Sequence, residues 1–240
     1  MSMDFALITK AIKEKLSSPE GKLARETTAA GIGAMNPAAG VISTGFNSFL
    51  EALDEYKLRH LCLGLSKDID MERKLNELYE YVTSSPERAF ATGNVLKKTI
   101  AAESPRVCML YGLILSKHIG QKKTDFSRDD MIVYKALENA SDYDLDNFKD
   151  IMENCVRPDD DGKKRIVYGT EQERECELTC QWCVSTRLFK NIGLSWGTAA
   201  GGVASGPDDS IIQSDYYVTN PAELLMDLIC ELGTRWDYGQ

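Results

Sequence analysis

The sequence predicts a mainly α protein, a helical bundle followed by a smaller region of mixed helix and strand. Three observations predict it. Apolar residues recur at helical spacing through most of the first 155 positions. Serine-proline and serine-acid pairs stand where helices should begin. Runs that favour strand occur only in the last third, as in 211–218, IIQSDYYV.

Residues 4–16 form a first amphipathic helix, with Phe5, Ile8, Ile12 and Leu16 on one face, and Ser17-Ser18-Pro19 interrupts it. Residues 27–50 follow, 24 residues without a charge, split by Asn36-Pro37 and punctuated by Gly31, Gly33, Gly40 and Gly45. A leucine-rich helix covers 45–65, with Phe46, Leu50, Leu53, Leu61 and Leu65 along one stripe. In the helix expected over 70–82, Leu75, Leu78, Tyr79 and Val82 are spaced i, i+3, i+4, i+7. Ser85-Pro86 opens the next helix and Ser104-Pro105 another. The latter, 106–119, is apolar almost all round from Val107 to Leu115, which marks it as a central buried helix too short to span a bilayer.

The polar run 121–127 marks a boundary, giving a bundle over 1–122 and an acidic domain over 123–240. Ser127 with Asp130 starts a helix to 140, and an acidic helix covers 142–155. RPDDDGKKRIVYG, 157–169, is a turn-rich loop with one short strand at 165–168. Residues 171–192 read as helix, 191–207 as a small uncharged stretch, and 211–218 as strand. Asn220-Pro221-Ala222-Glu223 is a capping box that opens a final helix closed by Gly233.

Charge bounds the function. The chain has 28 Lys and Arg against 37 Asp and Glu, and residues 121–240 carry 13 against 23. An acidic second half repels phosphate backbones, so nucleic acid is not the expected partner. Seven cysteines without a regular framework imply reduced thiols in a cytoplasmic protein. The first 16 residues lack the apolar core of a secretory signal. There is no phosphate-binding loop, no G-x-S-x-G and no H-E-x-x-H. His60 and His118 lie singly in helical segments, where a structural role is expected. Neither enzyme activity nor a cofactor is expected.

Two motifs invite metal readings. Cys176, Cys180 and Cys183, spaced C-x3-C-x2-C with Trp182 before the third, resemble the radical SAM signature. They stand late in the chain, with no alternating strands and helices after them. The competing reading puts three thiols on one helical face as core residues, and a zinc site would need Cys155 or His118 as fourth ligand. Asp142, Asp144, Asp146, Asp150 and Glu153 resemble positions 1, 3, 5, 9 and 12 of an EF-hand loop. Asn147 replaces the required glycine and Lys149 the usual apolar residue. The competing reading is an ordinary helix with carboxylates near its positive end.

The uncharged stretch would reach about 36 Å as a helix, enough to cross a bilayer. Its proline break and polar residues favour a tightly packed connection, with conditional membrane contact as the alternative and a hinge at Asn36-Pro37. In the last third, LFKNIGLS followed by DYYVTNPAELLMDLI resembles the end of bacterial winged-helix modules. The expected fold is therefore a helical bundle followed by a winged-helix-like α+β C-terminal region. With the glycine-rich early stretch and the leucine-rich helix, the whole resembles helical bacterial proteins of phage defence and abortive infection. That resemblance implies an interaction or regulatory protein with a protein partner or a homo-oligomer. A winged-helix DNA-binding regulator is the alternative, and an iron–sulfur or calcium protein a further one.

Overall fold

A computed structural model describes residues 8, 10, 11, 14, 15, 18, 56–66, 71–121, 127–167, 173–198 and 210–233. The chain is mainly helical, with a four-stranded antiparallel sheet in its C-terminal part. It divides into two compact units, Met1–Phe126 with Leu232–Gln240, and Ser127–Glu231. Gly31, Gly33, Asn36, Pro37, Gly40 and Gly45 lie outside the described residues. No described helix is long and apolar enough to cross a membrane.

Unit 1 is helical. Near its start Ile8 and Ala11 are helical and buried. Helix α1 covers 56–66, α2 Met71–Ser84, α3 Pro86–Ala101 and α4 Pro105–Gln121. The spacing of Leu75, Leu78 and Val82 gives α2 its buried stripe. Ser85 caps α3 by accepting from the Arg88 amide at 3.3 Å, with Pro86 in the first turn where no amide partner is needed. Ser104 caps α4 in the same way, its hydroxyl accepting from the Val107 amide at 3.2 Å. Helix α4 is the core of the unit, buried without interruption from Arg106 to Ser116.

Two glycines let α1 reach α4. A β-carbon on Gly64 would lie 2.7 Å from the Met109 carbonyl carbon, and one on Gly112 would lie 2.9 Å from both the Leu61 carbonyl carbon and the Leu65 nitrogen. Each helix thus lays its backbone in the other's gap, and no side chain fits between. Lys57 fixes α1 further by donating to the Ile100 carbonyl at the end of α3, at 2.6 Å.

Unit 2 opens with α5, Arg128–Leu137, and α6, Asp142–Asp150. Both carry reciprocal capping boxes, Ser127 with Asp130 and Ser141 with Asp144. Helix α6 widens into a π turn, Ile151–Cys155, that buries Ile151 and Cys155 and leads straight into strand β1, Val156–Pro158. A tight turn returns the chain as β2, Lys164–Ile166. Helix α7 is Glu173–Ser185, followed by β3, Phe189–Thr198, β4, Ser210–Val218, and α8, Asn220–Leu232. The sheet order is β1-β2-β4-β3, antiparallel throughout.

Three expectations change here. The helix expected over 171–192 ends at Ser185, and 189–192 belong to strand β3. Leu188 and Phe189 fit a helical stripe and a strand equally well, so periodicity alone could not separate them. The turn between them places Arg187 at φ +68, with the Leu188 amide donating back to the Cys183 carbonyl at 2.8 Å. Strand β1 was not expected at all, because three residues are too few to show alternation. The box expected at Asn220 and Glu223 does not form. The Glu223 carboxylate pairs with Lys164 of β2, and the Thr219 hydroxyl donates to the Leu188 carbonyl at 2.6 Å. Strand β3 also carries a bulge between Asn191 and Gly193, where Gly193 has φ +123 and its amide donates to Asn191 Oδ1 at 2.8 Å.

The glycine contact generates a prediction. Gly64→Ala and Gly112→Ala should each lower the free energy of unfolding by about 1–3 kcal/mol, because the added methyl meets rigid backbone. Gly120→Ala, in the same helix as Gly112 but facing open space, should be neutral or stabilising by up to about 1 kcal/mol. Urea unfolding of the three variants measures both signs. Equal effects would show that the crossing is loose.

Candidate functional site

Residues 142–153 are helical from the first position, so the chain does not form the glycine-turned loop that an EF-hand requires. Asp144 is committed to the cap: its Oδ2 accepts from the Ser141 amide at 2.9 Å and the Ser141 hydroxyl at 2.7 Å. Asp150 accepts from the Asn154 side chain at 2.7 Å. Cys176, Cys180 and Cys183 sit along α7, all buried, as core residues on one helical face rather than on a loop. Among the described residues, no group of three or more His, Cys, Asp or Glu side chains could hold a metal ion.

The thiols are also electrostatically quiet. Burial pushes Cys180 and Cys183 well above the ordinary thiol value, and neighbouring thiols and acids add to the rise. Cys155 rises by burial and by the charge of Asp150, opposed by its hydrogen bond with Cys176. Such thiols stay protonated at neutral pH and make poor nucleophiles. His60 is buried in α1, its Nδ1 donating to the Tyr56 carbonyl at 2.9 Å, and His118 is buried in α4.

The chemistry gathers instead on the sheet of unit 2. One face is buried. Ile166, Phe189 and Tyr216 point inward, and the Tyr216 hydroxyl donates to Glu177 of α7 at 2.7 Å. Phe189 stacks on Phe148 of α6 at 5.8 Å between ring centres, and Trp182 of α7 meets the same ring edge-on. Side chains alternate along a strand, so the residues between these point the other way. The register places Arg157, Arg165, Tyr217 and Lys190 directly opposite one another across β1, β2, β4 and β3. They form one row on the outward face. Arg157 and Lys190 are exposed, and Arg165 and Tyr217 half-buried.

The β1–β2 turn closes over the row. Asp159 Oδ1 accepts from the amides of Asp161 at 3.0 Å and Lys163 at 2.7 Å, shaping the turn with Gly162 at φ +76. Its Oδ2 accepts from the Tyr217 hydroxyl at 2.6 Å. That bond, followed by the two amides, holds the Asp159 carboxyl below its usual range and raises the Tyr217 phenol. The Lys163 ammonium stands 5.9 Å from the centre of the Tyr217 ring. Tyr217 is therefore locked in place, with cations on both sides of it.

Residues 157–169, expected as a turn-rich loop with one short strand at 165–168, hold the β1–β2 hairpin instead, and the row was not foreseen from them. The signal present was the basic cluster Lys163, Lys164 and Arg165 beside Arg157, in an otherwise acidic half. Lys190 and Tyr217 gave no signal, since only strand pairing brings them alongside.

Comparison of the chain with protein-family models, curated proteins and solved structures finds no match.

Two predictions follow from these placements. Because the folded pKa values of Cys180 and Cys183 lie above the unfolded value of 9.0, their contribution to stability is complete below pH 9 and is lost as pH rises beyond it. Denaturant unfolding at pH 8 and pH 10 should show a loss in the wild type that is smaller in Cys180→Ala. An equal loss in both would contradict the burial of that thiol. Asp144→Ala should cost about 0.5–2 kcal/mol through the lost cap, with no calcium-dependent change in melting temperature before or after substitution. Stabilisation by millimolar calcium that disappears in the variant would restore the calcium-loop reading.

Proposed function

We propose that this chain is a non-enzymatic interaction protein of the regulatory or defence-effector kind, in which unit 2 presents the outward face of its sheet to a protein partner. The observation that carries the reading is the row of Arg157, Arg165, Tyr217 and Lys190. It is built on strands whose opposite face is packed, so the four side chains are set by rigid backbone rather than by a loop. Arginine and tyrosine are also the residue types that most often anchor protein interfaces. Among the described residues, Cys108, Cys155, Cys176, Cys180 and Cys183 are buried, both histidines are buried in helices, and Asp130 and Asp144 are held in caps.

A winged-helix DNA-binding regulator is the second reading. The order β2-β4-β3, with α7 before the β3–β4 hairpin and α8 after it, favours that architecture. A helix-turn-helix places two helices before the hairpin. Here α7 is the one described helix between β2 and β3, and it bears Glu173, Glu175 and Glu177 where a DNA reader needs cations.

Site-specific photo-crosslinking in the expressing cell distinguishes the two. A crosslinking residue placed at Lys190 should capture a discrete protein, while the same residue at exposed Lys135 of α5 should not. Adducts to nucleic acid from position 190, or no adduct at all, would overturn the interaction reading.

A further inference from the structure

We propose that Cys155 and Cys176 are a modification site of this chain, a thiol pair that a hydroperoxide oxidises to an intrachain disulfide. The inference stands apart from the interaction reading above and needs neither the outward face of the sheet nor a partner.

The fold makes this pair, and no motif spacing links its members. Cys155 ends the π turn after α6, and Cys176 lies in α7. The β1–β2 hairpin stands between them in the sequence. The chain returns from it so that the two thiols meet in a hydrogen bond. The Cys155 backbone is fixed as well, its carbonyl accepting from the Val167 amide at 2.7 Å. Both residues are thiols rather than a disulfide, and both are buried.

Geometry selects this pair from the four thiols gathered here. Cys176, Cys180 and Cys183 share one face of α7. A helix holds side chains three or four positions apart with their β-carbons about 5–6 Å from each other. A disulfide needs those atoms about 3.5–4.5 Å apart. Neighbouring cysteines of α7 therefore do not join without unwinding a turn. Cys155 belongs to a different element and approaches Cys176 from outside the helix. Side-chain rotation and a small shift bring two thiols already in contact to the bonding distance of about 2 Å.

Exposure assigns the roles. Cys176 is 5 % exposed, Cys155 2 %, and Cys180 and Cys183 0 %. A small neutral oxidant reaches Cys176 first. Burial and the charge of Asp150 raise the Cys155 thiol and make it the poorer attacking group. The Cys176 thiol gives up its proton, and its sulfur attacks one oxygen of hydrogen peroxide. The O–O bond breaks, the released hydroxide takes up that proton as water, and Cys176 becomes a sulfenic acid. The Cys155 sulfur then attacks the Cys176 sulfur. The S–O bond breaks, and the departing hydroxide leaves with the Cys155 proton as a second water. Two thiols have lost two electrons and one peroxide has gained them. The new bond ties the base of the β1–β2 hairpin to α7, and a dithiol reductant reverses it.

The test treats the folded full chain with millimolar hydrogen peroxide, alkylates the remaining thiols in denaturant, and maps tryptic peptides by mass spectrometry. The expected product is lighter by two hydrogens. In it residues 150–163 are linked to residues 175–187 through Cys155 and Cys176, with Cys180 and Cys183 alkylated, and dithiothreitol removes the link. Cys155→Ser and Cys176→Ser should each abolish the link, and Cys180→Ser should keep it. Melting temperatures under reducing conditions show that the variants fold, and the wild-type map decides the pairing whatever they do. No link after oxidation overturns the inference. A wild-type link from Cys155 to Cys180 or Cys183, or one within residues 175–187 that survives Cys155→Ser, overturns it as well.

Discussion

The constraint on which the rest of unit 2 depends is the register of its small sheet. Tyr216, Ile166 and Phe189 must face the helices to be buried, and a strand places alternate side chains on opposite faces. Once those three point inward, Arg157, Arg165, Tyr217 and Lys190 have no choice but to line up outside. A slip of one residue in β4 would send the Tyr216 ring to solvent and Tyr217 into the core. It would also break the bonds of Tyr216 to Glu177 and of Tyr217 to Asp159. Core packing and surface chemistry are thus two consequences of one alignment.

Several local devices protect that alignment. The Asp159 turn sets the β1–β2 hairpin, and the bond to Tyr217 ties the hairpin tip to β4. Thr219 bonds to the carbonyls of Arg187 and Leu188, joining the end of β4 to the start of β3. The bulge at Ile192 absorbs one extra residue, so that pairing continues beyond it. These polar contacts are individually worth little at an exposed surface. Their value lies in the geometry they impose on strands too short to define a register alone.

Unit 1 depends on a different constraint, the mutual approach of Gly64 and Gly112. Helices α1 and α4 meet backbone to backbone there, which is why each tolerates a residue of poor helix propensity at the crossing. Helix α4 gains burial around its whole circumference, and the surrounding helices need only one apolar face each. The cysteines of unit 2 follow the same logic of filling space. Small buried thiols on α7 pack against their neighbours and remain protonated, so motif spacing that looks chemical is structural.

By itself the sequence determined the helices: their apolar stripes, the serine caps at Ser85, Ser104 and Ser127, the all-round burial of α4 and the late position of the strands. Those signals are local, written in residues three or four apart. The Asp142–Glu153 and Cys176–Cys183 patterns were legible too, but the same spacing serves a ligand set and a helical face, and only folding chose the face. Tertiary structure alone decided three things. Glu223 went to Lys164 rather than to its own helix end. Residues 189–192 became strand because β4 was there to pair with them. Arg157, Arg165, Lys190 and Tyr217, up to 60 positions apart in the chain, came into one row. Each depends on a partner distant in sequence, and no local pattern of charge or hydrophobicity encodes where that partner will lie.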